Sequence, residues 1–370
     1  MCINKILVFT ALSNVNSAYA NRLKCELKGF QENGVEPIVY ALGANIEIAE
    51  AFKKENITFH LLSLNKNKLL NYLFSLIKSI FLIRKYNVVF FSLANYWVIR
   101  ILYFFSKKST KIIHERTEHP SLFGGEKYLK SYLKLCCNFD KLLVISTSLR
   151  TYFVENGIAE DKICLYPMLF NPQRLDKSDG EFLDFPYMAY TGEMSGNKDG
   201  VYNLIESFSL FSMQNQDYRL VLVGDSYNKN EFNKIKQHVI DKGLKDRVIF
   251  TGRVTTDKVL VYLRNAKILL LARPNNFQAK YGFPTKLGEY LATGNPVIVT
   301  KTSDIAMYLK DGESAFIVQP DDNNAFASKM LYVVDNYEKA IVVGNNGKMK
   351  VYDDFNYFIQ TKELLNKLDL

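Results

Sequence analysis

The stretch YGFPTKLGEYLATGNPVIVT, residues 281–300, combines a loop, a short helix and a strand. Gly282 lets the backbone approach a ligand closely, and Pro284 stands at or just before a helix start, where its missing N–H costs nothing. The helix is predicted to begin at Lys286 and to stop at Gly294, which readily adopts the left-handed conformation of a helix C-cap. The apolar residues after the next proline predict a short buried strand.

The predicted helix places two opposite charges on one face. Lys286 and Glu289 lie three residues apart and are therefore neighbours, whereas Leu287, Tyr290 and Leu291 recur at helical spacing and predict the buried face. Two interpretations of the charged pair are open at this point. It is an ordinary exposed ion pair, or it is a cation and a carboxylate that face a ligand.

The composition predicts a folded protein that binds anions. With 370 residues, of which 48% are hydrophobic, the chain is long enough for two α/β domains with separate cores. The formal charge of +9 favours phosphate-bearing ligands, nucleic acid or an acidic membrane surface as partners. Because aromatic residues follow core periodicity and no basic-aromatic platform is found, we expect no nucleic-acid partner.

Residues 69–105 form an apolar and basic segment, but polar and charged side chains interrupt every window of the ~20 residues that a transmembrane helix requires. No secretory signal is recognisable before the first apolar run, and the five scattered cysteines fit neither a disulfide framework nor a zinc site. We therefore expect a cytoplasmic protein. The apolar and basic segment allows peripheral contact with an anionic membrane, at the inner face of the cell membrane.

Short apolar runs alternate with amphipathic segments along the chain, which is typical of βαβ units and parallel sheets. We predict an α/β protein of two Rossmann-like doubly wound domains, at residues 1–170 and 186–350, joined by a linker at 171–185. A C-terminal helix at 351–370 can cross back to the first domain. The predicted strands cover residues 5–10, 36–40, 58–62, 87–92, 111–114, 141–145, 162–165, 187–191, 219–223, 247–250, 268–271, 296–300 and 315–318.

Polar or glycine-rich residues follow most strands of the second half, at the sheet edge where open α/β sheets bind ligands. The loop TGEMSGNKDG contains Gly192 and places Lys198 just before a helix, where an ammonium group and a helix N-terminus can bind an anion. Taken alone, Lys198 also fits an ordinary solvated lysine. Later strands of this half bring three more polar side chains to the same rim: Arg253, Arg273 and Gln278.

These motifs resemble, in their order, those of the retaining glycosyltransferases of the GT-B fold, family 4 (glycosyl transferases group 1). The resemblance rests on LVLVGD at residues 220–225, DRVIFTGRV at 246–254, the stretch at 281–300 and DGESAFIVQPDD at 311–322. It covers the whole second domain and, more weakly, the first. The resemblance implies two Rossmann-like domains that face a cleft, with a nucleotide sugar bound by the second.

The resemblance also assigns roles to residues of the second domain. It implies that Glu289 binds the ribose hydroxyls and that Lys198 meets the donor diphosphate and stabilises the departing charge. The loop from Gly282 to Thr285 would offer backbone N–H groups to the phosphate or the sugar. The full implied donor site consists of Gly192, Lys198, Arg253, Arg273, Gln278, Gly282, Phe283, Pro284, Thr285, Lys286, Leu287 and Glu289.

The chain departs from the family pattern at two positions. The family usually has two glutamates separated by seven residues, but Tyr281 stands at the first position, so a carboxylate that commonly contacts the transferred sugar is missing. Glu193 stands where an arginine is common after the loop glycine. The diphosphate must then be neutralised by other cations, for which Lys286, Arg273 and Arg253 are the candidates.

The first domain is expected to bind the acceptor. Its first strand is followed by a polar loop where a dinucleotide-binding protein would show G-x-G-x-x-G, so we expect no nicotinamide cofactor. The segment HERTEHP at 114–120 is the densest cluster of titratable groups, and His114, Glu118 or His119 can polarise an acceptor hydroxyl. Alternatively, these groups only pair with Arg116 and surface lysines. The acceptor-binding candidates are Asn14, Asn16, Ser17, Tyr19, Glu115 and Arg116.

The reaction implied by the resemblance is the transfer of a sugar, with retention, from a nucleoside-diphosphate sugar to a hydroxyl of a glycan or lipid-linked glycan in bacterial surface polysaccharide synthesis. No cofactor is expected, and no metal, because no D-x-D motif follows a strand. Two alternatives remain open: a sugar-nucleotide epimerase on the same fold, and a non-catalytic membrane-peripheral binding protein.

Overall fold

The computed structural model describes residues 4–12, 14, 17–42, 46–61, 68–92, 94–177, 183–195 and 198–370. The chain divides into two compact units. Unit 1 consists of Met1–Leu169 and Tyr357–Leu370, and unit 2 consists of Phe170–Asn356. The C-terminal segment therefore belongs to the same unit as the N-terminus.

Unit 1 is built on a parallel sheet of seven strands. They are β1 (Asn4–Ala11), β2 (Val35–Leu42), β3 (Phe59–Leu61), β4 (Val88–Phe91), β5 (Lys111–Arg116), β6 (Lys141–Val144) and β7 (Ile163–Leu165). Their order in the sheet is β3-β2-β1-β4-β5-β6-β7. Helices cover both faces of such a sheet, which is why a central strand such as β4 is an uninterrupted apolar run that is buried at every residue.

The helices of unit 1 are α1 (Ala18–Glu32), α2 (Ile46–Lys53), α3 (Lys68–Ile83), α4 (Tyr96–Phe105), α5 (Glu126–Cys136), α6 (Thr147–Glu155) and the C-terminal α15 (Tyr357–Lys367). The strand order reverses direction after β3. Because parallel crossovers are right-handed, α1 and α2 lie on one face of the sheet and α3 to α6 on the other. Helix α15 packs against α1.

Unit 2 repeats this plan with six parallel strands. They are β8 (Tyr187–Thr191), β9 (Arg219–Val223), β10 (Val248–Gly252), β11 (Ile268–Leu271), β12 (Val297–Thr300) and β13 (Phe316–Val318). Their order is β10-β9-β8-β11-β12-β13, the Rossmann order. The connections reverse between β8 and β11, so the ends of these two neighbouring strands mark the topological switch point.

The helices of unit 2 are α7 (Val201–Ser212), α8 (Lys229–Asp241), α9 (Thr256–Asn265), α10 (Phe277–Tyr281), α11 (Lys286–Thr293), α12 (Ile305–Tyr308), α13 (Asn323–Asp335) and α14 (Tyr337–Asp354). Helix α11 begins at Lys286 and ends before Gly294, which has a φ of 80°. This confirms the predicted left-handed C-cap, a conformation that glycine adopts without a Cβ clash.

The two sheets confirm the predicted fold class of Rossmann-like doubly wound domains. Every predicted strand is present and ends within two residues of its predicted ends. Three segments differ in detail. Strand β5 continues to Arg116, residues Pro172–Lys177 form a 3-10 helix within unit 2 where a linker was predicted, and α14 runs past residue 350 to Asp354. Within the described residues, no helix has both the length and the apolar composition needed to cross a bilayer.

Candidate active site

The switch point of unit 2 brings together side chains that are distant in the sequence. Asp199 follows β8, Arg273 follows β11, and Lys286 begins α11. Lys286 Nζ lies 2.6 Å from Asp199 Oδ2, and Arg273 Nε lies 3.5 Å from Asp199 Oδ1. The Tyr190 hydroxyl donates to Asp199 Oδ2 at 3.2 Å and accepts from Lys286 Nζ at 3.1 Å. We call Asp199, Arg273 and Lys286 the charged cluster.

The charged cluster is buried and has more positive than negative charge. Arg273 and Asp199 are almost inaccessible to solvent, and the side chain of Lys286 is largely covered. Burial by itself would raise the pKa of Asp199, but Lys286 and then Arg273 outweigh it and lower that pKa to about 2. Two cations therefore share one carboxylate. Exposed Lys198 adds a further positive charge that acts on the cluster.

Burial also lowers the pKa of Lys286, although the Asp199 carboxylate opposes that change. Arg273 and Lys198 push the pKa of Lys286 in the same direction as burial. An anion that approached this edge of the sheet would relieve the repulsion among the three cations. The cluster is therefore an electrostatic environment that favours a phosphate-bearing ligand.

Two glycines allow the close packing beside the Lys286 ammonium group. Gly192 has a φ of 147°, and a Cβ there would lie 2.2 Å from Lys286 Nζ. Gly224 after β9 has a φ of 139°, and its Cβ would lie 2.0 Å from the Gly192 carbonyl oxygen. Any side chain at either position would displace a backbone group or the lysine. Gly192, in the loop after β8, thus allows the Lys286 ammonium group to lie against the backbone, in addition to giving the loop its unusual conformation.

Helix α11 is fixed to the sheet by its buried face. The Thr191 N–H donates to the Tyr290 hydroxyl at 2.7 Å, which joins the helix to the end of β8. Glu289, on the opposite face, is partly exposed and pairs with Arg174 at 3.3 Å. Lys286 pairs with Asp199 instead of Glu289. Lys286 and Glu289, neighbours on one helix face, therefore pair with different residues at the same edge of the sheet.

The other predicted donor residues of the 281–300 stretch divide between core and surface. The Phe283 ring packs against Tyr308 and Phe355, and Leu287 is fully buried. The side chains of Phe283 and Leu287 fill the core, so the predicted contact of these residues with a donor is left to their backbone groups. Pro284 is also buried, whereas Thr285 is partly exposed at the N-cap of α11.

The remaining donor candidates lie beside the switch point. Gly282 forms the C-cap of α10, and Gln278, on the same helix, is partly buried. Arg253 is exposed after β10, where its guanidinium lies 4.8 Å from the centre of the Tyr227 ring. A cation over an aromatic face is stabilised by the ring quadrupole.

In unit 1, the extension of β5 changes the interpretation of the 114–120 cluster. His114 is fully buried within the strand. Its Nδ1 lies 3.0 Å from the Phe91 carbonyl oxygen, so that nitrogen carries the proton, and its Nε2 accepts from the Tyr132 hydroxyl at 2.8 Å. Burial, followed by the charge of Arg116, lowers the pKa of His114 to about 3. The prediction that His114 polarises an acceptor hydroxyl was wrong, because both of its ring nitrogens form hydrogen bonds inside the core.

The buried imidazole makes a testable contribution to stability. The pKa of His114 is about 3 in the folded state and near 6.5 when exposed. The contribution of the neutral imidazole to protein stability is therefore complete above pH 6.5 and is lost as the pH falls toward 3. We expect wild type to lose about 1.4 kcal/mol per pH unit in this window relative to His114→Gln. Urea unfolding between pH 7 and pH 4 measures this, with His60→Gln at an exposed position of β3 as control. Parallel pH profiles for wild type and His114→Gln would contradict the assignment.

Glu115 and Arg116 are also part of the interior. Arg22 Nε donates to Glu115 Oε1 at 2.7 Å and lies 3.2 Å from Glu26 Oε1. Burial and the neighbouring Glu115 raise the pKa of Glu26 well above its usual range. Arg116 is covered by Phe123, with its guanidinium 4.1 Å from the ring centre. The prediction that Glu115 and Arg116 contact an acceptor was wrong, because both side chains are buried and contact other residues inside unit 1.

The other acceptor candidates are distributed around the N-terminus of α1 and the end of β5. The Tyr19 hydroxyl donates to Ser92 at 2.6 Å, Ser17 caps α1 through the Ala20 N–H, and the Asn14 carbonyl accepts from Ser17. Asn16 lies outside the described residues.

Glu118 and His119 follow β5. Glu118 is partly exposed, and His119 caps a 3-10 helix by accepting from the Ser121 N–H at 3.2 Å. Burial and the charge of Arg116 lower the pKa of His119. Of the three groups expected to polarise a hydroxyl, Glu118 is partly exposed, whereas His119 is buried with its ring against Tyr152, like His114 in the strand.

Sequence reasoning missed the central carboxylate of the charged cluster. Asp199 directly follows Lys198, and an acidic residue between a predicted strand end and helix start was the available signal. Arg174, which pairs with Glu289, lies in the segment predicted as a linker. Among the described residues, no group of three or more His, Cys, Asp or Glu side chains is placed to hold a metal ion.

Known proteins resemble this chain in both sequence and fold. The family model described as glycosyl transferases group 1 matches residues 185–336. The amylovoran biosynthesis glycosyltransferase AmsK of Erwinia amylovora is 24% identical over 245 residues, which cover 66% of this chain and 60% of AmsK. The capsular polysaccharide biosynthesis glycosyltransferase CapM of Staphylococcus aureus is 23% identical over 278 residues, 70% of each chain. The match thus spans less than two thirds of AmsK.

Two solved structures extend the likeness over the whole chain. Anabaena Alr3699/HepE, solved in complex with UDP, has a TM-score of 0.81 at 14% identity and is covered over 99% of both chains. A point mutant of S. aureus TarM, solved with Fondaparinux, alpha-GlcNAc-glycerol and UDP, has a TM-score of 0.76 at 12% identity over the full length of both chains. At these identities the likeness concerns the fold. The chain thus has the GT-B fold with two Rossmann-like sheets, and residues 185–336 of unit 2 match the glycosyl transferases group 1.

Proposed function

We propose that this protein is a retaining glycosyltransferase that uses a nucleoside-diphosphate sugar. The observation that carries the proposal is the charged cluster, in which two buried cations share one carboxylate at the switch point of unit 2. A diphosphate at this edge would complete the charge balance. HepE has also been solved in complex with UDP-glucose, which supports a nucleotide sugar as the donor class.

The proposed chemistry is a front-face substitution. The bond between the anomeric carbon and the diphosphate oxygen breaks, and a bond from the acceptor oxygen forms on the same face of the sugar. The leaving phosphate takes the acceptor proton, so the protein supplies no nucleophile. Lys286, Arg273 and Lys198 stabilise the charge that develops on the phosphate. Because these cations are already in place, we propose that no divalent metal is required, and activity should survive EDTA.

Glu289 is proposed to bind the ribose of the donor. Its carboxylate is partly exposed at the rim and is oriented by Arg174 at 3.3 Å. A carboxylate can accept two hydrogen bonds from neighbouring ribose hydroxyls. Donor binding would then place the ribose beside α11 and the diphosphate near the charged cluster.

The proposed acceptor is a hydroxyl of a glycan or of a lipid-linked glycan at the cytoplasmic face of the cell membrane. The names of AmsK and CapM place those relatives in amylovoran and capsular polysaccharide biosynthesis. Another relative, from Campylobacter jejuni, is named for transfer to a diNAcBac-PP-undecaprenol glycan and is 29% identical over 217 residues. These names support bacterial surface polysaccharide synthesis as the setting.

The donor proposal is tested by a thermal-shift screen against a panel of nucleotide sugars, since a ligand that binds only the folded state raises its apparent stability. We then expect Lys198→Ala and Glu289→Ala each to reduce sugar transfer by about 100-fold or more while the protein remains folded. Lys258→Ala, at an exposed position of α9, is the matched control. Near-normal transfer by both site variants would refute the assignment. A product formed without any acceptor would indicate an epimerase instead.

A further inference from the structure

Helix α3 exposes a stripe of apolar side chains on one side, and its other side buries Leu82 and Ile83 together with two serines. Leu73, Phe74, Ile77 and Phe81 point to solvent, and Phe81 is 66% exposed. In a helix these four positions form one stripe about 100° wide. Ser79, on the opposite side, is fully buried. An exposed apolar stripe on a helix whose other side already packs on the core indicates an interaction surface.

Helix α4 extends this apolar surface. It packs against α3, and the two helices lie on the same face of the sheet. Trp97 and Phe104 are 58% and 79% exposed, and Arg100 lies between them on the same stripe, with its guanidinium 5.6 Å from the centre of the Trp97 ring. We call the exposed side chains of α3 and α4 the apolar-basic face.

The charge of the segment that forms this face is one-sided. Residues 56–114 contain nine Lys and Arg residues and no Asp or Glu. The whole chain has 47 basic and 38 acidic residues, so this one segment accounts for the entire formal charge of +9 and the rest of the chain is neutral. Three of the basic residues are exposed along α3 or directly after its last turn: Lys78, Arg84 and Lys85. The pattern is typical of helices that lie in a membrane interface.

We propose that the apolar-basic face docks on an anionic lipid bilayer. Its aromatic and aliphatic side chains would enter the boundary between headgroups and acyl chains, and its Lys and Arg residues would bind lipid phosphates. This inference deepens the proposed function and rests on it, because it supplies the surface by which the protein would reach a lipid-linked acceptor.

Charge complementarity favours a bilayer over a second copy of the chain. A symmetric dimer through this face would bring together two copies of a segment that carries basic but no acidic residues, and like charges at close range oppose association. The apolar-basic face is formed by two neighbouring helices, so its exposed side chains can contact an extended partner such as a bilayer. An anionic bilayer satisfies both the apolar stripe and its basic surroundings at once.

The single tryptophan of the chain allows a direct test, because Trp97 lies in the proposed contact. We expect its emission to shift to the blue when the full chain meets vesicles of phosphatidylcholine mixed with anionic phosphatidylglycerol, and to be quenched by lipids brominated on the acyl chain. Pure phosphatidylcholine vesicles should give a much smaller shift, and salt at about 0.5 M should weaken binding. An unchanged emission maximum with anionic vesicles would overturn the proposal.

Matched variants separate insertion from charge attraction. In vesicle flotation, Phe74→Ser with Phe81→Ser and Phe104→Ser should lower the partition coefficient by about tenfold or more. Arg84→Gln with Lys85→Gln should lower it about 25-fold, or about fivefold per basic residue. The controls change similarly exposed residues of unit 2: Met213→Ser with Val342→Ser and Met349→Ser, and Lys245→Gln with Lys339→Gln. Equal losses in controls and variants would contradict a specific face.

Two further outcomes bear on the proposal. If Trp97 emission shifts with protein concentration in the absence of lipid, a second copy covers the face and the lipid proposal fails. Nucleotide-sugar thermal shifts report on unit 2 alone and should be the same in the triple serine variant and wild type. A failure of membrane docking is therefore distinguishable from a failure of the proposed donor site.

Discussion

Replacement of Lys286 by methionine is expected to reduce sugar transfer by about 10²–10³-fold. The methionine side chain keeps much of the lysine volume but removes the ammonium group that lies between Asp199 and the Gly192 loop. A preorganised cation stabilises the departing phosphate more than it stabilises the bound substrate, so the loss should fall mainly on kcat. Steady-state transfer from the best nucleotide sugar of the screen measures the effect.

The matched control is Lys245→Met, an exposed residue of unit 2. Its activity should stay close to that of wild type. Circular dichroism and the unfolding midpoint must show that Lys286→Met remains folded, because the substitution also removes a partner of Asp199. Transfer close to the wild-type rate by a folded Lys286→Met protein would remove Lys286 from the proposed mechanism.

Replacement of Asp199 by asparagine should destabilise the protein by about 3 kcal/mol, because two buried cations then lack their carboxylate. The folded-state pKa of about 2, against the ordinary value of 3.8, corresponds to about 2.5 kcal/mol in the same direction. Since the folded pKa is lowered, this stabilisation is present above about pH 4 and is lost as the pH falls toward 2. Urea unfolding at neutral pH measures the loss.

A double-mutant cycle isolates the interaction between Asp199 and Lys286. In Asp199→Asn with Lys286→Met, the loss should be smaller than the sum of the two single losses, because one unpaired buried cation is removed along with the carboxylate. Asp241→Asn, an exposed residue at the end of α8, is the control and should change the free energy of unfolding by less than about 0.5 kcal/mol. Additive losses would show that the ion pair contributes no coupling.

The strands could be predicted from the sequence because both faces of each sheet are covered. A buried strand appears in the sequence as a short apolar run between polar turns, as in β9 and β11. Such a run can be recognised without knowing which strands lie beside it. The helix that begins at Lys286 was equally predictable, since Pro284 and Gly294 mark its two ends through their local backbone preferences. The alternation of these elements was sufficient to predict two doubly wound sheets.

The partners of charged residues could not be predicted in this way. Lys286 and Glu289 are neighbours on one helix, yet the first pairs with Asp199 and the second with Arg174. The separation between Lys286 and Asp199 along the chain is bridged only when β8 and β11 become neighbours in the sheet. Spacing along a helix predicts adjacency, but it does not predict which distant residue offers the closer opposite charge.

By itself the sequence determined the strands, their parallel arrangement and the polar loops at the carboxyl ends, because these follow from local periodicity and turn chemistry. Tertiary structure alone decided which titratable groups are available. His114 lies two residues inside the end of β5 and is buried, whereas Lys198 is exposed beside the charged cluster. The physical reason is that the burial and charge of a side chain's surroundings are set by the elements that pack around it, and those elements come from distant parts of the chain.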